Sequence, residues 1–449
     1  MAMPLSEAAA LAGGRLHGED RPFRGLSTDS RTLVPENLFV ALRGPRFDGH
    51  DFAAGALAAG AAGVLVDRDL EPGPRIRVDD TRAALGALAA AWRERFSLPV
   101  VAVTGSNGKT TVKTLLAAVL ATQGPALATE GNLNNEIGVP LMLARLGPEH
   151  RAAVFELGAN HPGEIARLAG WVRPTVGVIT NAGPAHLAGF GSIEGVARAK
   201  GELIAALPPE GTVVLNTEDP HVGLWRRLAG ARPQLGFGLA VPAEVRAEWA
   251  PEGPGSRVLL QTPAGDRELR LAFPGRHNVM NALAAAAAAL ALGVPLDRIA
   301  AGLEAARPVP GRLCPCPGPA GSRILDDTYN ANPASVRAAL EVLVAQPGEH
   351  WLVLGDMGEL GAQAAALHAR IGQEARSRGV HRLFTTGPLA ARAAEAFGSG
   401  AAHFDAPSLL AAALRDALRE DVTVLVKGSR AARMEQVVQA LCEDAGGGC

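Results

Sequence analysis

The chain has 449 residues, 48% of them apolar and 20% charged, with a formal net charge of -2. This is an ordinary globular composition, long enough for two to four domains at roughly 100–200 residues each. The near-neutral balance gives no support to bulk electrostatic binding of nucleic acid or of a membrane surface.

The first residues, 1–18, lack the basic and then apolar pattern of a secretory signal. Residues 39–42 and 63–66 read as strands with a helix over 51–62 between them, and 82–96 reads as a helix leading to Pro99. A domain boundary is expected there, giving a first unit of 1–97. Residues 100–104 are a buried strand that runs into a glycine-rich loop, and a helix follows over 109–121. Further β–α alternation covers 152–157, 176–180, 193–207 and 212–216, the pattern of a mainly parallel sheet covered by helices. Residues 245–273 read as an antiparallel excursion, and 278–292 as a helix. The longest apolar stretch, 282–292, is too short to cross a bilayer. A Pro- and Gly-rich boundary near 308–312 closes a second unit, 98–309. Strands at 323–325, 351–354, 382–385 and 422–426 then build a third, 310–449. The expected fold class is α/β in three domains. A central P-loop domain with a mainly parallel sheet is flanked by a smaller N-terminal α/β domain and a C-terminal doubly wound, Rossmann-like domain. The four cysteines, Cys314, Cys316, Cys442 and Cys449, match no zinc spacing, and without a secretory signal they are expected to be reduced. A cytoplasmic protein is expected.

Only Lys109, Lys113, Lys200 and Lys427 are lysines, against 43 Lys and Arg together. A chain that has moved nearly every cation to Arg keeps Lys where an amine that can lose its proton is required. Lys109 lies in Thr104-Gly105-Ser106-Asn107-Gly108-Lys109-Thr110-Thr111, a phosphate loop between a strand and a helix. Its glycines let backbone N–H groups approach phosphate oxygens, Lys109 supplies charge, and the Thr110 hydroxyl can reach Mg²⁺. The loop is a shortened form, since Val103 stands where the longer pattern has Gly. Glu156 ends a buried strand and His186 follows the next one, both at the ligand edge of the same sheet, and Glu156 suits Mg²⁺. Asn278 and Asn281 open a helix; Asn278 is expected to be its N-cap, leaving Asn281 free to meet a base.

The shortened loop, Glu156, His186, Lys200 and Gly275-Arg276-His277-Asn278-Val279-Met280-Asn281 together resemble the Mur ligases, ATP-dependent amide-forming enzymes of peptidoglycan synthesis. Also similar are Glu156-Leu-Gly-Ala-Asn-His-Pro-Gly-Glu164, Asp326-Asp-Thr-Tyr-Asn-Ala-Asn-Pro333 and Leu354-Gly-Asp-Met-Gly-Glu-Leu-Gly361. The likeness runs from Ser27 to Lys427. An Asp-Asn-Pro-Arg segment, expected in the member that adds the third stem residue, is absent.

The resemblance implies joining of D-alanyl-D-alanine to the terminal carboxylate of UDP-N-acetylmuramoyl-tripeptide through an acyl phosphate. Cell-wall formation, cell shape and division would depend on it. It implies ATP held by Gly105, Ser106, Asn107, Gly108, Lys109, Thr110 and Thr111, with Asn278 and Asn281 at adenine and Arg312 and Asp327 at phosphate and ribose. Two Mg²⁺ ions would be held by Thr110, Glu156 and His186, and by Lys200 as an N-carbamylated lysine. Lys109, Lys200, His186 and Glu156 would form the catalytic set. Ser27, Asp29, Ser30, Arg31, Asp48, Gly49 and His50 would hold the uridine diphosphate sugar on the first domain. Thr129, Asn132, Asn134 and Asn135 would line the substrate cleft, and Tyr329, Asn330 and Asn332 would face the dipeptide. A monomer with no nucleic-acid partner and no membrane insertion is expected. The alternatives are a folylpolyglutamate synthase-like ligase, or a P-loop switch that binds ATP without ligation.

Overall fold

The computed structural model describes residues 1–70, 73–184 and 186–442, and Cys449 lies outside them. Of the five sheets among the described residues, the three largest follow one another along the chain. The N-terminal sheet is ordered Arg15–His17, Arg75–Arg77, Gly63–Val66, Leu38–Val40 and Leu26–Ser27. Its first pairing is antiparallel and the others are parallel. The expected helix over 51–62 is shorter, a 3-10 turn Gly49–Phe52 and an α-helix Ala53–Ala58. The helix Thr81–Arg93 starts where the Asp80 carboxylate accepts the N–H groups of Arg82 and Ala83. Its Gly86 lies against the Trp171 ring of the central unit, where a larger side chain would clash.

The central sheet runs, edge to edge, Gln234–Phe237, Thr212–Asn216, Val176–Ile179, Val100–Thr104, Ala152–Glu156 and Ala126–Ala128, all parallel. The three middle strands are buried along their whole length, as a sheet covered on both faces requires. One face carries the helices Lys109–Ala121, Arg276–Ala291 and Leu296–Ala305, the other Glu164–Val172 and Ile193–Ala205. The antiparallel excursion is a three-stranded sheet, Arg246–Glu252, Gly255–Thr262 and Gly265–Leu271. Its Val258, Leu260, Leu269 and Leu271 join the first of these cores.

The C-terminal sheet is ordered Cys314–Pro317, Arg323–Asp327, Val422–Lys427, Glu349–Gly355, Arg382–Thr386 and Ala401–Phe404. Only the first pairing is antiparallel. Two apolar layers, one on each face, make it doubly wound. Cys316 and Cys442 are free buried thiols. No helix among the described residues is long and apolar enough to cross a membrane.

Candidate active site

In open parallel sheets, ligands sit beyond the carboxyl ends of the strands. Here the ends of Val100–Thr104, Ala152–Glu156 and Val176–Ile179 are neighbours, and their loops floor a cleft of about 1040 Å³. The opposite wall comes from the C-terminal domain.

The phosphate loop is held open by two glycines with positive φ, 146° at Gly105 and 82° at Gly108. A Cβ at Gly105 would collide with Thr180 Oγ1, and one at Gly108 with Asn281 Oδ1. Asn107 N–H donates to Asn181 Oδ1 at 2.9 Å, and Ser106 Oγ donates to the Gly183 carbonyl at 3.1 Å. Lys109 Nζ rests on the Gly105 carbonyl at 2.7 Å. Burial pushes its pKa down, against the pull of Glu156, and Arg312 adds to the lowering. Such an ammonium gains most from an anionic ligand.

Glu156 is 3% exposed. Its Oε1 accepts Asn134 Nδ2 at 2.8 Å, while Oε2 is buried with no hydrogen-bond partner. Leaving a buried acceptor unmet costs about 1–3 kcal/mol, more when it is charged. A cation there would satisfy it, and the Thr110 hydroxyl lines the same cleft. Among the described residues no three His, Cys, Asp or Glu side chains are gathered to hold a metal by themselves. One carboxylate plus phosphate oxygens is the donor set that suits Mg²⁺.

His186 opens the short helix Leu187–Phe190 and lines the cleft. Burial lowers its pKa, Glu359 opposes that, and Lys109 and Lys200 reinforce it. Lys200 sits behind the cleft wall on the helix Ile193–Ala205, 2% exposed. Its Nζ lies 5.3 Å from the Phe190 ring centroid. Burial first, and Lys109 second, bring its pKa from 10.5 to about 7.

The C-terminal domain meets the phosphate loop directly. Arg312 Nη2 donates to Thr110 Oγ1 at 3.2 Å, and its guanidinium lies 4.1 Å from the Tyr329 ring centroid. Asn332 Nδ2 donates to Asn107 Oδ1 at 2.8 Å. Asp327 pairs with Lys427 at 2.5 Å, and Lys427 also donates to the Asn330 carbonyl at 2.9 Å. Burial raises the Asp327 pKa and lowers that of Lys427, and each partner's charge opposes the shift. Tyr329, Asn330 and Asn332 therefore stand on the phosphate side of the cleft.

Most of the sequence-predicted residues meet here, and some do not. Asn278 is not the N-cap; the helix begins at Arg276 with Gly275 before it, because Gly275 can take φ 91°. The Asn278 amide instead donates to the Pro274 carbonyl and accepts from Asn281, so Asn281 is not free and also faces Gly108. Asn134 and Asn135 line the cleft, whereas Thr129 and Asn132 do not. Thr129 is buried and its hydroxyl accepts the Glu156 N–H, and Asn135 Oδ1 accepts the N–H groups of Ile137 and Gly138. None of the first-domain set lines the cleft. Asp29 is held by Arg31, which brings its pKa to about 2. His50 is buried between Asp48 and Asp67, with both ring nitrogens engaged. Sequence reasoning missed Glu218, His277 and Glu359, all in the cleft wall. His277 and Glu359 stood inside quoted motifs, but no residue type there announced a role.

Three family profiles match in series: "Mur ligase family, catalytic domain" over residues 22–93, "Mur ligase middle domain" over 103–289, and "Mur ligase, glutamate ligase domain" over 311–430. The chain belongs to the Mur ligase family. It is an ATP-dependent ligase, built in the three-domain architecture described above. Among its relatives is the UDP-N-acetylmuramoyl-tripeptide–D-alanyl-D-alanine ligase of Escherichia coli, 44% identical over 452 residues and 99% of both chains. The protein of the same name from Haemophilus influenzae is 39% identical over 93% of both chains. A crystal structure of MurF from Acinetobacter baumannii superposes with a TM-score of 0.92 at 37% identity, covering 98% of this chain and 99% of that one. MurF ligase from Thermotoga maritima in complex with ADP gives 0.85 at 29%, covering 94% and 97%. Folylpolyglutamate synthase of Mycobacterium tuberculosis, at 19% identity and a TM-score of 0.65, shares the fold.

Proposed function

We infer that the chain joins D-alanyl-D-alanine to the terminal carboxylate of UDP-N-acetylmuramoyl-tripeptide in peptidoglycan precursor synthesis, with ATP cleaved to ADP and phosphate. The observation that carries this is the 44% identity across 99% of both chains. The tripeptide carboxylate takes the γ-phosphoryl group of ATP and becomes an acyl phosphate. The dipeptide amine, having lost a proton, attacks the acyl carbon, and the tetrahedral intermediate expels phosphate. Lys109, resting on the Gly105 carbonyl, and Arg312, bonded to the Thr110 hydroxyl, bring two cations to the phosphate loop and offset the charge that keeps two anions apart. The C-terminal wall excludes water that would hydrolyse the acyl phosphate.

Mg²⁺, when bound, supplies Lewis-acid charge at the phosphates; Thr110 and Glu156 would hold a first ion and His186 a second. Lys200 is proposed as a carbamate. CO₂ adds to a neutral amine with loss of a proton, and the buried Lys200 nitrogen, with a pKa near 7, is neutral about half the time at pH 7. The anionic product would join His186 in holding the second ion. Ser27, Asp29, Ser30, Arg31, Asp48, Gly49 and His50 are proposed to shape the uridine diphosphate seat. Asn134 and Asn135 would guide the peptide, and Tyr329, Asn330 and Asn332 the dipeptide.

Phosphate release from ATP tests the assignment. It should require the UDP-tripeptide and D-alanyl-D-alanine together. Equal turnover with a folate and glutamate, or with neither acceptor, would overturn it. The first outcome is what a folylpolyglutamate synthase-like ligase gives, the second what an ATP-binding switch gives.

A further inference from the structure

Glu359 projects from the C-terminal domain and meets His186 of the central domain, its carboxylate 2.5 Å from Nδ1. Both ends of this contact hold uncommon backbone. His186 has φ 53° and Glu359 φ 62°, two of the seven non-glycine residues with positive φ among those described. Side chains take that region at a cost, and such residues gather at functional sites.

The loop carrying Glu359 is pinned at three points. Met357 N–H donates to Nε2 of the buried His368 at 2.8 Å, and His368 Nδ1 is turned to the Ala364 carbonyl at 2.7 Å. Ser429 N–H donates to the Asp356 carbonyl at 2.9 Å. The Asp356 carboxylate accepts the N–H groups of Leu389 and Ala390 at 3.1 and 2.7 Å. An ion pair whose Glu side chain is 60% exposed adds little stability. Its placement is what the pinned loop secures.

An imidazole that donates Nδ1–H to a carboxylate turns its Nε2 lone pair the other way. We propose that Glu359 is a positioning residue: when the C-terminal domain docks, it fixes His186 as the Nδ1–H tautomer and presents the Nε2 lone pair to the phosphate-bearing cleft. Undocked, His186 loses this acceptor, and a free neutral imidazole favours the Nε2–H form. Closure over the substrates and completion of the acceptor set then become one event, which ties ATP cleavage to domain docking. The kinetic consequence rests on His186 serving the ligase reaction; the tautomer does not.

Ring-nitrogen NMR of ¹⁵N-histidine-labelled protein, kept free of metal and docked by a saturating non-hydrolysable ATP analogue, reads the tautomer directly, with His186 assigned through His186→Gln. The wild type should show a protonated Nδ1 and a bare Nε2. Glu359→Ala should shift His186 toward the Nε2–H form and lower kcat by roughly 10- to 100-fold, with the KM for ATP little changed. Glu359→Gln, whose amide oxygen still accepts from Nδ1–H, should keep the tautomer and most of kcat. An Nε2–H tautomer in the wild type overturns the proposal. So does an unchanged kcat in Glu359→Ala, or a Glu359→Gln variant as impaired as the alanine one. A failure of the substrate assignment would appear in the turnover assay and leave the wild-type tautomer as predicted.

Discussion

Lys200 shows what a single buried amine can do. Its Nζ lies over the Phe190 ring, and Lys109 repels the ammonium more than Glu202 or Glu164 holds it. With a pKa of about 7 the nitrogen is neutral in about one molecule in ten at pH 6 and about nine in ten at pH 8. CO₂ adds only to the neutral form, so carbamylation, and activity with it, should rise with pH across this window. Lys200→Arg keeps the charge but cannot form the carbamate, and should be nearly inactive. Lys200→Ala should regain part of its activity when a small carboxylate is added to occupy the vacated space. Steady-state kinetics from pH 6 to 8, with and without added carboxylate, check both statements. Substantial activity in Lys200→Arg would return Lys200 to an ordinary buried cation. In the sequence, the scarcity of lysine and the family resemblance both pointed to Lys200, and scarcity alone to Lys427. The same scarcity could not say that Lys427 binds Asp327 and the Asn330 carbonyl inside the C-terminal domain.

At the scale of elements, strand-to-loop transitions were legible and helix starts less so. The buried strand 100–104 followed by Gly105 and Gly108 announced the phosphate loop, because apolar runs and glycines carry their own physical meaning. Asn278 misled, since an Asn near a helix start is usually a cap, and nothing local reveals that the turn at Gly275 begins the helix earlier. Asn332 is a true cap. Its Oδ1 accepts Ser335 N–H at 2.9 Å while its Nδ2 crosses to Asn107. The two duties can be separated. Asn332→Ser keeps a good cap on the helix Pro333–Val344, so stability should stay within about 0.5 kcal/mol. The lost donation to the phosphate loop should raise the KM for ATP about 2- to 10-fold, from about 0.5–1.5 kcal/mol per hydrogen bond. Thermal melting and initial rates on one preparation decide it. A clear loss of melting temperature with an unchanged KM would leave only the cap.

Across the whole molecule, chemistry depends on parts far apart in sequence. Thr110 meets Arg312, Asn107 meets Asn332, and His186 meets Glu359, each pair joining the central and C-terminal domains. The three-sheet order could be read from β–α alternation, since each sheet is a local repeat of strand and helix. Which loops face one another could not, because docking depends on surfaces that no periodicity encodes. Glu359 went unassigned for that reason. The central claim is that ATP cleavage activates the tripeptide carboxylate inside this docked cleft, and oxygen tracing tests it most directly. With both oxygens of the terminal carboxylate of the UDP-tripeptide labelled as ¹⁸O, one label should leave with the phosphate released on addition of ATP and D-alanyl-D-alanine, and the other should remain in the new amide. Phosphate carrying no ¹⁸O while the dipeptide product forms would contradict an acyl phosphate, and with it this account of the cleft.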